Sequence, residues 1–305
     1  GVRNGAATLY YPLWHLEVED LLVLKNNKGT EDNRVRHMDY GVQFNKLMYE
    51  RLMAGGNITL FSPHDVPGLY DAFFADQDEF KRLYEQAERK TSIRKKVISA
   101  TELFSAFMQE RKDTGRIYLQ NVDHANEHSS FKTEVAPIKQ SNLCCEIDLP
   151  TKPLNDINDP NGEIALCTLS AVNWGSFKNP EDMEKACTLA VRGLDALLSY
   201  QNYPIIAAQM ATENRRPLGV GIINLAFFLA KNDVSYSNPD ALKLVDTWAQ
   251  HWSYYLIKAS ADLAVEFGAC PKNNETKYSD GVLPLDTYKK DVDELVVHID
   301  CVDWT

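Results

Sequence analysis

Apolar positions along the chain follow two spacings, one near every second residue and one near every third or fourth. The spacing predicts a strand over 8–12 and a short helix over 15–25. Met38, Val42, Phe44, Leu47, Met48 and Leu52 fall close to helical spacing, which predicts a helix over 38–54 stopped by Gly55 and Gly56. NITLF (57–61) reads as a strand. Helices are expected over 67–89 and 95–112, the second with Val97, Ala100, Leu103, Phe104, Phe107 and Met108 on one side and Gly115 as its stop. A strand follows over 116–120, then a polar, irregular stretch over 121–141. Segments 142–149 and 163–171 read as extended and are joined by an Asn-, Asp- and Pro-rich turn region, 151–162. Asn179-Pro180 opens a helix reaching about Tyr200, a strand–helix unit spans 215–231, and a long helix covers 239–267 before Gly268. Strands alternating with long helices predict an α/β fold with mainly parallel pairing. No linker or repeat interrupts the pattern, so residues 1–305 are expected to form part of a single domain.

Composition narrows the class. The 305 residues are 44% hydrophobic and 25% charged, ordinary globular values that exclude disorder, collagen and a disulfide scaffold. The net charge of −11 argues against a general grip on nucleic acid or an anionic membrane. No apolar run approaches the ~20 residues of a membrane span. Six cysteines in so long a chain point to a reducing, cytoplasmic setting. The start at Gly1 and the finish at Asp303-Trp304-Thr305 are expected to be cuts through a larger folded unit.

The stretch with most chemistry is SNLCCEIDL (141–149). As an extended strand it would put Asn142, Cys144 and Glu146 on one face and Leu143, Cys145 and Ile147 on the other. Most strand cysteines simply pack. A carboxylate beside a buried thiol is costly, however, unless the site needs it. A carboxylate can serve as base, an amide can orient a hydroxyl, and a thiol can donate hydrogen or an electron. Cys167, in IALCTL (164–169), is the thiol that a neighbouring strand could bring near Cys144.

QSNLCCEIDLP (140–150) resembles the active-site finger loop of class I ribonucleotide reductase catalytic subunits, and GEIALCTL (162–169) is similar to that family's segment with a redox cysteine. YGVQ (40–43), FSPHDVP (61–67), TGRIY (114–118) and RRPLGVG (215–221) extend the likeness along essentially the whole chain. The resemblance implies the central portion of a ten-stranded α/β barrel with an internal finger loop. It implies that Cys144 becomes a transient thiyl radical and takes hydrogen from C3′ of a ribonucleotide. Glu146 would accept the 3′-hydroxyl proton, Asn142 would hold the ribose hydroxyls, and Cys167 would be one of two thiols supplying electrons. Leu143 and Cys145 complete the implied substrate loop, and Arg3, in a glycine-containing opening segment, is the implied contact to the base. Arg116 and Tyr118 match a segment near the radical entry path. No metal or cofactor is implied in this chain; the radical would come from a separate di-iron tyrosyl-radical subunit. The implied partners are a ribonucleoside diphosphate, thioredoxin or glutaredoxin, ATP and dNTP effectors, the remaining segments of the subunit and a second copy of the complete subunit. The partner thiol of Cys167, the paired tyrosines and the tail cysteines of the family have no counterpart in 1–305, so the chain alone is expected not to turn over.

Other motifs carry less. His124-Ala125-Asn126-Glu127-His128 matches an inverted zinc-peptidase pattern, but its flanks read as loop and it lacks an evident third ligand. GVGIIN (219–224) has Asn224 where a dinucleotide fingerprint has its third glycine, and reads as a packing turn. DINDPNG (156–162) resembles a calcium loop with its glycine one position late and Pro160 in a ligand position, and reads as a turn. Tyr10-Tyr11 and Tyr254-Tyr255 read as packing aromatics. The rival to catalysis is a non-catalytic nucleotide-binding or scaffold segment of a split enzyme.

Overall fold

The computed structural model describes Val2, residues 4–287 and residues 301–303, and divides the chain into two compact units, Gly1–Thr151 and Lys152–Thr305. The first unit is built on a parallel three-stranded sheet. Its central strand β2 (Asp39–Phe44) lies between β1 (Thr8–Pro12) and β5 (Ile117–Asn121). An antiparallel pair, β3 (Asn57–Phe61) and β4 (Lys95–Ser99), stands beside it. The helices are α1 (Val18–Leu22), α2 (Lys46–Met53), α3 (Leu69–Ala75), α4 (Gln77–Arg89), α5 (Ala100–Thr114) and α6 (Val122–Glu127).

Three predicted helices are recast. The stretch 38–54 splits into β2 and α2 because residues 40–44 are all buried. A central strand covered on both faces gives a continuous apolar run, whose spacing imitates a helix. The 95–112 prediction loses its first turn to β4, where exposed Val97 precedes buried Ile98 in strand alternation. Asp76 breaks 67–89 in two: its backbone is extended, and its carboxylate accepts the Glu79 amide at 2.9 Å as the cap of α4. The polar stretch after β5 holds the short helix α6 that its composition conceals.

The core of this unit is aromatic. Phe44 packs against Tyr49, Phe104 and Phe107 with centroids 5.0–5.7 Å apart, and Trp14 meets Phe73 and Phe80. The buried Tyr84 hydroxyl accepts the Thr59 amide at 2.7 Å and donates to the Thr59 carbonyl at 2.6 Å, so it is satisfied without water.

The second unit pairs β6 (Leu169–Asn173) in parallel with β7 (Gly219–Ile223). Around them lie α7 (Glu184–Tyr200), α8 (Ile206–Arg215), α9 (Leu225–Lys231) and α10 (Pro239–Phe267). The long helix has the predicted bounds: Pro239 occupies the first turn, Asn238 caps it through the Asp240 amide, and Gly268 ends it. Trp174, Phe228 and Trp248 form the centre, with ring centroids 4.5–5.7 Å apart, and Met183 and Cys187 fill the cluster. The 151–162 region is a turn, as its composition predicts. Asp159 accepts the Asn155 and Asn161 amides, and Lys152 bridges to Glu163.

Candidate active site

The 141–148 segment is a tight turn and not the extended strand its alternation predicts. Ser141 and Asp148 pair antiparallel, and the Asn142 amide donates to the Ile147 carbonyl at 3.1 Å. Between them the Cys145 amide closes a four-residue turn on the Asn142 carbonyl at 3.2 Å. The physical reason is Asn142 itself. Its side-chain oxygen accepts the Glu146 amide at 3.0 Å and the Ile147 amide at 3.1 Å, giving the backbone partners that a strand would have supplied. The shared face therefore does not form. Leu143, Cys144 and Glu146 are exposed around the turn, while Asn142 and Cys145 are half-buried. Among the described residues the Asn142 amide nitrogen donates no hydrogen bond, so its N–H groups can meet a ligand oxygen.

The turn rests on the sheet. Thr8 Oγ1 donates to the Leu143 carbonyl at 2.6 Å, and the Tyr10 hydroxyl donates to the Asn142 carbonyl at 2.7 Å. Gln43 on β2 and Gln120 on β5 are opposed in the sheet register. Gln43 donates to Gln120 Oε1 at 2.9 Å and to the Lys139 carbonyl at 2.6 Å, and Gln120 donates to Asp148 at 3.3 Å. The two glutamines are 0% and 4% exposed, which makes them the deepest polar side chains under the turn.

Burial sets the electrostatics. It pushes the Cys145 thiol up, against a lowering hydrogen bond with the Tyr10 hydroxyl. Burial likewise raises Asp148, opposed by hydrogen bonds from Ser141 and Gln120. Tyr118 on β5 is raised by burial and then by the neighbouring Cys144. Arg116 stands 3.6 Å from Asp39, which also pairs with Lys25 at 2.7 Å.

Cys167 belongs to the second unit. It is exposed, two residues ahead of β6, and 163–168 is not strand, so neither thiol lies on the strands expected to carry it. None of the six cysteines forms a disulfide. Arg3 lies outside the described residues. His124 lies in α6 and His128 caps its end, with rings 5.9 Å apart. Among the described residues no group of three or more His, Cys, Asp and Glu side chains could hold a metal ion.

The model of the ribonucleotide reductase barrel domain matches residues 1–304. The chain belongs to the ribonucleotide reductase family. It is 64% identical to the ribonucleoside-diphosphate reductase 1 subunit alpha of Salmonella typhimurium over 304 residues, and 62% identical to the ribonucleoside-diphosphate reductase subunit alpha of Haemophilus influenzae over 304 residues. The subunit alpha of Enterobacteria phage T4 is 52% identical over 309 residues. Each comparison covers all of this chain and 40% of the relative, so the chain spans well under half of their length. As a ribonucleotide reductase segment it is α/β and part of the family's barrel; among the described residues its sheets hold three, two and two strands and none is closed. The turn at 141–148 is the segment that resembles the family's finger loop. Among the described residues no helix is long and apolar enough to cross a membrane.

Sequence reasoning missed Thr8, Tyr10, Gln43, Gln120 and Asp148. The signal was available in part: a glutamine inside each of two largely apolar strands is the informative kind of exception.

Proposed function

We propose that this chain is the segment of a ribonucleoside-diphosphate reductase alpha subunit that carries its reacting thiol. The observation that supports this most is the turn: Cys144 stands exposed between Asn142, whose amide N–H groups are open to a ligand, and the exposed carboxylate of Glu146. The substrate class is a ribonucleoside diphosphate and the product its 2′-deoxy form. The Cys144 thiyl takes the hydrogen atom from C3′ of the ribose and, once the 2′ carbon has been reduced, the Cys144 thiol returns a hydrogen atom to C3′ and is a thiyl again. Glu146 takes the proton of the 3′-hydroxyl, and the 2′-hydroxyl leaves as water. Asn142 orients the ribose hydroxyls through its amide N–H groups. Cys167 and a second thiol outside this chain give the two electrons and two protons, ending as a disulfide. Leu143 and Cys145 shape the loop around the substrate, and Arg3 meets the base.

The radical is supplied by a separate di-iron tyrosyl-radical subunit, so the chain holds no metal of its own. Thioredoxin or glutaredoxin regenerates the thiols, and ATP and dNTPs act as effectors. The complete subunit dimerises and works in the cytoplasm. Both compact units are read as one catalytic barrel domain, and 1–305 turns over only with the remaining segments of the subunit.

The test is Cys144→Ser in the complete subunit with its radical-generating partner. Reduction should vanish while nucleotide binding stays within about twofold. Turnover by the serine variant would refute the reading. Loss of reduction and binding together would favour a structural role for the segment.

A further inference from the structure

Two hydroxyls on one face of β1 reach consecutive carbonyls of the turn. Thr8 and Tyr10 are two apart, so their side chains share a face of the strand. Thr8 donates to the Leu143 carbonyl at 2.6 Å and Tyr10 to the Asn142 carbonyl at 2.7 Å. These carbonyls immediately precede Cys144. The Asn142 carbonyl also accepts the Cys145 amide that closes the turn, so the Tyr10 hydroxyl acts on the atom that defines the turn geometry. Cys145 has φ 65°, a left-handed backbone that a non-glycine residue adopts only where its surroundings impose it.

We propose that Thr8 and Tyr10 are positioning residues that fix the height and direction of the Cys144 thiol by holding the two carbonyls before it. The proposal rests on reading Cys144 as the residue that takes hydrogen from C3′. Both hydroxyls donate to backbone carbonyls of the turn. Each acts through the backbone of the turn, so replacing residues on the turn itself would not report on it. Hydrogen-atom transfer depends steeply on the distance between sulfur and carbon. A turn released on one side should therefore slow that step before it disturbs folding.

The experiment uses the full-length subunit, its radical-generating partner and cytidine diphosphate, unlabelled or deuterated at C3′. The variants are Thr8→Val, Thr8→Ser and Tyr10→Phe. Valine suits a strand and removes only the hydroxyl, so Thr8→Val decides the matter even where Tyr10→Phe folds poorly. Thr8→Val and Tyr10→Phe are each expected to lower kcat about 3- to 10-fold, the range of one lost hydrogen bond. Both should raise the deuterium isotope effect, because hydrogen transfer becomes more limiting, with melting temperatures within about 2 °C of the parent. Thr8→Ser should return kcat and isotope effect close to their starting values. A fall in kcat with the isotope effect unmoved would indicate ordinary structural damage and overturn the proposal, as would wild-type kinetics in Thr8→Val. Cys144→Ser runs alongside. If it abolishes reduction while the hydroxyl variants behave as wild type, the positioning role alone fails. If it retains reduction, the functional reading fails first.

Discussion

Gly41→Ala isolates the contact that lets Tyr10 reach the turn. Gly41 sits opposite Tyr10 in the β1–β2 register, and the Tyr10 ring lies against it. Its backbone φ lies outside the left-handed range, so alanine would be accepted were it not for the ring. A Cβ built there stands 2.4 Å from both Cδ1 and Cε1 of Tyr10, whereas ordinary contact begins at 3.4 Å. The ring must therefore retreat by about 1 Å, in a side chain only 6% exposed. A retreat of that size would open the hydroxyl's bond to the Asn142 carbonyl from 2.7 Å to roughly 3.7 Å, beyond a hydrogen bond. Overpacking costs about 1–3 kcal/mol and the lost bond about 1 kcal/mol, so about 2–4 kcal/mol of stability should disappear from this unit. Hydrogen exchange on the full-length subunit reads the effect locally, with protection falling at the Cys145 and Ile147 amides and across β1–β2. Tyr10→Leu should remove much of the clash, making the double variant at least about 1 kcal/mol more stable than the two single losses predict. Unchanged exchange in Gly41→Ala, or strict additivity with Tyr10→Leu, would refute the claim that the ring is wedged between strand and turn.

Three further expectations concern the buried polar groups. Glu163 is 5% exposed and accepts Arg215 at 3.0 Å as well as Lys272; Arg215 also pairs with Glu275 at 2.6 Å. Arg215→Leu leaves a buried carboxylate under-compensated and should destabilise the second unit by about 2–4 kcal/mol, measurable as lost exchange protection in α8. Burial alone would raise the Glu163 carboxyl, but the Lys272 hydrogen bond and the Arg215 charge outweigh it and hold it below its ordinary value. A depressed folded pKa contributes stability above about pH 4.3 that is lost as pH falls through the lower folded value. Glu163→Gln should flatten that acid limb of a stability–pH curve while lowering the neutral plateau; an unchanged acid limb would show that other carboxylates set it. Tyr84→Phe strips the Thr59 amide and carbonyl of their buried partner and should cost about 1–3 kcal/mol, seen as faster exchange at Thr59 with little change in α10.

The elements legible in the sequence were those with their own start and stop signals. The bounds of α10 follow from Asn238, Pro239 and Gly268, and the end of α5 follows from Gly115 at φ 64°. What failed was the distinction between a buried central strand and a helix. Residues 40–44 are buried without a break, so no polar alternation marks the strand, and only the partners β1 and β5, 31 and 77 positions away in the pairs Thr8–Asp39 and Tyr40–Ile117, decide between them. The family resemblance was legible for the opposite reason. It rests on contiguous motifs, which need no tertiary information to be read.

The turn shows how a local pattern can mislead about geometry while its residues still carry the chemistry. Alternation would separate the adjacent cysteines by a pleat. In the folded chain the separation comes from Asn142, which captures two amides, and from Cys145, which turns into the left-handed region. Cys144 is thereby left exposed and Cys145 half-buried beside Tyr10. The hydroxyls that hold this arrangement come from 132 and 135 positions earlier in the chain. No short-range pattern could have announced them, because Thr8 and Tyr10 look like ordinary strand residues until the turn is laid across them. A strained, exposed turn held by distant donors has a further physical consequence. Its geometry can be altered by changes in β1 or β2 that leave every residue of 141–148 intact, so variants at Thr8, Tyr10 and Gly41 should resemble one another more closely than any resembles a substitution within the turn.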